Sequence, residues 1–462
     1  MAKHPYIGKT FLRVKSIEDR ILDKVNNGRD YRGDAVVTTY YLTAMPRRDV
    51  GDDIFSGVEY AVDMMLLHGT TEIWPGPGKE PTDYKKHMSW LKEIRFSKDS
   101  KGVESAIVKI STPLEFFDKC PMPLAQLRMA TQSEPFNAFV DFTARAIDYD
   151  FPDKLKRRFL GQVWPHKRIR EYLKISKDEP IIGTIVKPKW LPPKLFAESV
   201  TGAAIAGASF IKSDENLHLS RQELARYVKE TSRMLIKNGF DLSMEPKRNK
   251  KRVLFAPHIT TNPSEILEYA RVAVDNGANA LMFSTHFAGD FEIISRIYEM
   301  GDKYKVPVYA HTAGMNRFCG DPNYRCGDDP KVVYLLAAFS GAAFMQLPGM
   351  GSFLRPTDVE KKPIIERLNK EGLEGNNGMT LTIAGGLGPK NIGCNIKLLG
   401  AQGRMFLAGT SVFHHPDGIK SGIDALKLAV EASQKGIYEI NRLKEYAKSI
   451  GEKGEPLLRA LI

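Results

Sequence analysis

A lysine, an aspartate and a glutamate stand almost side by side at Lys212, Asp214 and Glu215, within ASFIKSDEN (208–216). In an extended chain, residues two apart share a face, so Lys212 and Asp214 point the same way. Glu215 follows where the chain can turn to bring it alongside. Carboxylates on a rigid rim are the hard oxygen ligands that Mg²⁺ takes. A plain lysine cannot bind a cation. A lysine whose neutral amine has added CO₂ can, because the carbamate is an anionic oxygen ligand. Burial beside other cations lowers a lysine pKa and favours that neutral amine. A buried Lys–Asp ion pair is the alternative. Two further lysines, Lys187 and Lys189, close the run IIGTIVKPK (181–189), and His258, His286 and His311 lie at the ends of later apolar runs. Gly385-Gly386 and Gly409-Thr410 end two more. Backbone N–H groups in such loops can cradle a phosphate. Tight turns that need small residues are the alternative there.

These groups meet only if the chain brings the ends of its apolar runs together. From about residue 180, short apolar runs alternate with longer amphipathic ones. The runs are 181–189, 208–216, 253–260, 278–285, 306–312, 342–349, 379–386 and 404–411. Near-continuous apolar runs fit parallel strands buried on both faces. Eight strand–helix units close into a (β/α)₈ TIM barrel, whose reacting groups sit at the C-terminal strand ends. A doubly wound open sheet competes, but no Rossmann fingerprint or Walker A sequence supports it. Residues 1–150 differ. DAVVTTYYLTA (34–44) and SAIVKISTP (105–113) alternate like antiparallel strands, with a helical stretch between them. The expected architecture is α/β: a smaller N-terminal α+β (ferredoxin-like) domain over 1–150, a connection over 151–180, a barrel catalytic domain over 181–435 and a helical extension over 436–462.

The 462 residues are 42% hydrophobic and 26% charged, an ordinary globular composition with room for two or three domains. No apolar run reaches the roughly 18 residues that a membrane helix needs. The opening MAKHPYIGKTFLRVK has no apolar core of a secretory leader. Four scattered cysteines (Cys120, Cys319, Cys326, Cys394) form no CxxC pair, so a reduced, cytoplasmic setting is expected. Cys319 and Cys326 are expected as inert thiols in a loop near the barrel mouth. The net charge of +12 favours anionic partners. The densest basic cluster, Lys247, Arg248, Lys250, Lys251 and Arg252, reads as a solvated loop. With no nucleic-acid motif present, the expected partner is a phosphorylated small molecule, not nucleic acid and not a membrane.

GTIVKPK (183–189) followed by FIKSDEN (210–216) resembles the large subunit of ribulose-bisphosphate carboxylase (RuBisCO). The likeness continues through His311, AGG at 384–386, the HP pair at 415–416 and STPLEFF at 111–117. The resemblance implies that Lys212 is the carbamylated ligand and that Asp214 and Glu215 complete the Mg²⁺ site. It makes Lys187 the proton-moving lysine, places Lys189 beside the metal-bound oxygen, and sets His311 next to the substrate. Gly385, Gly386 and Gly409 would help hold a phosphate. It also implies a homodimer, with the active site at the subunit interface.

The departures from that family shape the functional expectation. Carboxylases have an arginine for the second phosphate where this chain has Thr312, and a histidine where it has Gln346. The segment PGMGSFLRPTDVE (348–360) lacks the lysine that orients CO₂, although Arg355 offers a charge. The N-terminal asparagine of the family has no clear match near RMATQSEPFN (128–137), and its glutamate is replaced near Met65. This is the pattern of the RuBisCO-like (form IV) group. Its members enolise or isomerise methylthio-pentulose phosphates or act on related sugar phosphates. Genuine carboxylation, or decarboxylation of a β-keto acid sugar phosphate, is the alternative.

Overall fold

The period-two alternation of the first 150 residues folds as antiparallel strands. The structure, a computed structural model, describes residues 6–26, 33–44, 53–67, 87–99, 102–117, 124–137, 142–176, 179–245, 249–320 and 326–462. Cys120, Lys247 and Arg248 lie outside them. The chain forms two compact units, Met1–Phe159 with Met315–Val333, and Leu160–Gly314 with Tyr334–Ile462.

In the first unit, β1 (Phe11–Leu12), β2 (Ala35–Ala44), β3 (Trp90–Asp99), β4 (Gly102–Pro113) and β5 (Phe142–Asp150) build one sheet. Strand β2 pairs antiparallel with both β4 and β5. The helix Ile54–Leu66 packs on it, opened by Asp53, whose side chain accepts from Ser56 N at 2.8 Å. Tyr40, Leu42, Val58, Val62, Met65, Phe96 and Val108 share the core. Met65 therefore serves packing.

The apolar runs of the second unit become strands buried on both faces: β6 (Ile181–Ile185), β7 (Phe210–Lys212), β8 (Leu254–Ala256), β9 (Leu281–Ser284) and β10 (Val308–His311). The chain then makes β11 (Gly327–Asp328), which pairs parallel with β5 in the first unit's sheet. It returns through β12 (Phe344–Pro348), β13 (Thr380–Ala384) and β14 (Arg404–Ala408). The order β8-β7-β6-β14-β13-β12-β10-β9 is parallel throughout. A bridge between His258 and Met282 joins the two ends, with Ile259 N donating to Met282 O at 2.9 Å. The fold is the expected TIM barrel, not an open sheet. Each strand is shorter than its sequence run, and the residues beyond β6, β7 and β8 include Lys187, Lys189, Asp214, Glu215 and His258.

Inside the barrel, the Phe210 ring lies 5.6 Å from Tyr309 and 4.8 Å from Phe344, centroid to centroid. Gly183 of β6 leaves room for this filling. A Cβ there would sit 2.6 Å from Leu407 Cδ1 and 3.1 Å from Phe210 O.

Two expectations need correction. Cys319 is not in a loop. Met315–Cys319 is a short helix, and Arg145 of β5 draws in its end, donating to Cys319 O at 2.7 Å and Asp328 O at 2.9 Å. A buried guanidinium needs such acceptors, and this segment supplies them. Arg252 is not part of a solvated loop either. Its side chain is buried and pairs with Asp241 at 2.8 Å.

His166 opens the helix His166–Leu173, and its Nδ1 lies 3.0 Å from Thr380 Oγ1. Burial, helped by Arg170 and Arg404, pushes its pKa from 6.5 down to about 4. The helix N-terminus also disfavours a cation. Below its ordinary pKa, the unfolded chain takes up a proton that the native ring refuses. This contribution to stability is complete above pH 6.5 and declines as the pH falls toward 4. Denaturant titrations at about pH 7.5 and about pH 5 should show the parent losing about 2 kcal/mol more than His166→Gln. Equal losses would show that this ring does not set the acid response.

Candidate active site

Strand β7 ends on Lys212, and the chain turns at once. Leu217 N donates to Asp214 O at 3.1 Å, closing the turn, and Asn216 N donates to Asp214 Oδ1 at 2.9 Å. Lys212 is fully buried, with Nζ 3.4 Å from Glu215 Oε2, 3.3 Å from Ser213 O and 5.8 Å from the centre of the Tyr309 ring. Burial lowers its pKa more than the neighbouring Glu215 and Asp214 raise it. Burial therefore pulls Lys212 toward the neutral amine.

Past the end of β6, Lys187 hydrogen-bonds Asp214 Oδ2, and Lys189 Nζ lies 3.8 Å from Oδ1. Burial alone would raise the pKa of Asp214, but the Lys187 ammonium and the Asn216 N–H outweigh it and hold it below the usual range. Glu215 behaves alike: burial opposes its charge, but Lys212 and His311 hold its pKa at about 2. Both carboxylates are ionised at neutral pH. His311 closes β10 with Nε2 3.4 Å from Glu215 Oε2. Ala313 N donates to its Nδ1 at 3.1 Å, so the neutral ring carries its proton on Nε2. Burial, reinforced by Lys212, pushes its pKa down to about 3.

The glycines sit one loop away. Gly385 and Gly386 follow β13 with φ of +81° and +74°, conformations that side chains resist. Gly409 precedes the four-residue helix Thr410–Phe413 after β14, and Thr410 is exposed. Ser411 Oγ donates to Leu387 O at 3.1 Å, tying the two loops together. A Cβ on Gly409 would lie 3.6 Å from Lys187 Cε, so this loop adjoins the lysine cluster.

The loop after β12 is fastened down. Arg355 is buried and donates to Glu360 Oε1 at 2.8 Å, so its charge is used within the loop. It does not stand in for the missing lysine. Lys361, one residue beyond PGMGSFLRPTDVE, is also buried, donating to Gly349 O at 2.8 Å and Asp358 Oδ1 at 2.6 Å. Leu354 lies over Gly385, where a Cβ would approach its Cδ1 to 2.7 Å. Gln346 faces the interior: its Oε1 accepts from Tyr309 OH at 3.3 Å. Tyr309, the floor beneath Lys212, was not singled out from the sequence. Strand alternation could have found it, since it lies two residues before His311.

Among the described residues, no set of three or more His, Cys, Asp and Glu side chains is placed to hold a metal. Asp214 and Glu215 supply two anionic donors. The buried Lys212 amine would become a third by adding CO₂. On that condition the residues fit Mg²⁺, which takes oxygen ligands. No helix of the described residues is long and apolar enough to cross a membrane.

Residues 167–454 match the family model of the ribulose bisphosphate carboxylase large chain, catalytic domain. The chain is 24% identical over 386 residues to ribulose bisphosphate carboxylase of Methanocaldococcus jannaschii, covering 80% of this chain and 86% of that one. It is 24% identical over 435 residues to a ribulose bisphosphate carboxylase-like protein of Archaeoglobus fulgidus, covering 89% and 90%. Among solved structures, octameric ribulose-1,5-bisphosphate carboxylase/oxygenase from Pyrococcus horikoshii matches with a TM-score of 0.77 at 21% identity, over 100% of this chain and 98% of that one.

Proposed function

Because this chain belongs to the ribulose bisphosphate carboxylase large-chain family, we propose that its barrel mouth is a Mg²⁺-dependent enolisation site for a phosphorylated ketone of the methylthio-pentulose phosphate type, working as an enolase or isomerase. The supporting observation is the convergence of a fully buried Lys212 with two ionised carboxylates and with Lys187 on Asp214. Asp214, Glu215 and carbamylated Lys212 would hold the ion, which supplies positive charge where the ketone oxygen becomes negative.

The chain's own groups do the rest. Lys187, once its ammonium has given up a proton to solvent, removes the proton next to the ketone. Lys189, beside the other oxygen of the same carboxylate, orients the oxygen-bearing end of the substrate. His311 offers its Nε2–H as a hydrogen-bond donor and, being neutral, adds no charge. Backbone N–H groups of Gly385, Gly386, Gly409 and Thr410 hold one phosphate. Thr312 is uncharged and Arg355 is engaged by Glu360, so a monophosphate suits the site better than a bisphosphate. We take the working assembly to be a homodimer whose site is completed by the partner subunit.

The test is proton exchange in D₂O. With Mg²⁺ and bicarbonate present, a methylthio-pentulose phosphate should lose its α-proton NMR signal. Ribulose bisphosphate with labelled bicarbonate should give no acid-stable product. Absence of exchange sinks the enolisation reading, and acid-stable label would establish carboxylation instead.

A further inference from the structure

His258 ends the β8 segment and touches both ends of the turn that carries Asp214 and Glu215. Its backbone N–H donates to Ser213 Oγ at 2.6 Å, at the start of the turn. Its Nδ1 lies 3.3 Å from Leu217 O, at the end of the turn. A carbonyl can only accept, so the ring proton is on Nδ1. Nε2 is then an acceptor, and Thr260 Oγ1, 2.5 Å away, donates to it. Thr260 Oγ1 in turn accepts from Ser284 N at 2.8 Å, at the end of β9. The imidazole is thus fixed on both edges, and the His218 ring packs beside it at 5.9 Å. One buried residue links the start of the turn, its end and the neighbouring strand.

Resting on the enolisation reading above, we propose that His258 is a positioning residue that sets Asp214 and Glu215 for a divalent cation by gripping both ends of their turn. The reason is geometric. Asp214 and Glu215 sit between the two attachment points, and Leu217 O is the one reached by the side chain. Without the imidazole, that end is released and the carboxylates must be ordered by the ion itself. Residues that orient first ligands commonly change metal affinity by about 10–100-fold when lost.

Mn²⁺ binding by the full-length protein in bicarbonate, followed by electron paramagnetic resonance, tests this without any turnover. His258→Leu should weaken binding at least about ten-fold. His258→Asn, whose amide N–H can replace Nδ1–H toward Leu217, should stay within about three-fold of the parent. Thr260→Val, which removes the donor to Nε2, should fall between them. Equal affinity in His258→Leu and the parent, or a loss in His258→Asn as large as in His258→Leu, overturns the proposal. If His258→Leu does not fold, unchanged affinity in Thr260→Val overturns it in the same way. A parent protein that binds no Mn²⁺ marks a different failure: the metal reading itself falls, and the positioning role with it.

Discussion

Lys212→Met should abolish divalent-cation binding and lower α-proton exchange by about a thousand-fold or more, while the barrel melts no lower than the parent. The two halves of this expectation have separate causes. Methionine keeps the unbranched stem but has no amine to take up CO₂, so the third anionic donor cannot form. Burial opposes the Lys212 ammonium, so methionine removes a group whose charge is costly to bury. Removing one partner of a buried pair costs stability when the other is left buried and uncompensated. Glu215 is not left stranded, since it is partly exposed and keeps His311 3.4 Å away. Mn²⁺ titration, exchange in D₂O and a melting curve on one preparation separate the effects. Retained Mn²⁺ binding in the variant would end the carbamate assignment.

Lys187→Ala should lower exchange by about 10²- to 10⁴-fold, the range for losing a general base, without weakening Mn²⁺ binding. Lys187 now occupies Asp214 Oδ2, so removing it frees a ligand oxygen. Lys187→Arg is the sharper variant. It keeps the positive charge against Asp214, but a guanidinium stays protonated and cannot accept a proton. Both variants should be equally poor catalysts. Substantial exchange in the arginine variant would show that Lys187 acts through its charge and that another group moves the proton.

Much of this was visible in the sequence. The eight barrel strands show as apolar runs because parallel strands are buried on both faces and admit few polar residues. Lys212, Asp214 and Glu215 show because they are contiguous, and Lys187 and Lys189 because they end one strand. What stayed hidden depends on pairing across the fold. His258 reaches Leu217 only once β8 lies beside β7, and Tyr309 sits beneath Lys212 only because both point into the barrel. Arg355 reads as an available charge until Glu360 is seen beside it, and Arg252 as a surface residue until Asp241 is. Strand β11 has two residues, too few to show any periodicity.

That two-residue strand makes the polypeptide hard to dissect. A fragment stopping at Phe159 would lack Gly327 and Asp328, the edge of its own sheet, and Arg145 would lose the carbonyls of Cys319 and Asp328. A buried guanidinium stripped of acceptors is a severe burden. A fragment starting at Leu160 would carry residues 315–333 without the sheet that Gly327 and Asp328 extend. The halves cannot be shuffled or expressed apart at a single cut, so insertions and deletions in one must stay compatible with a short stretch encoded inside the other.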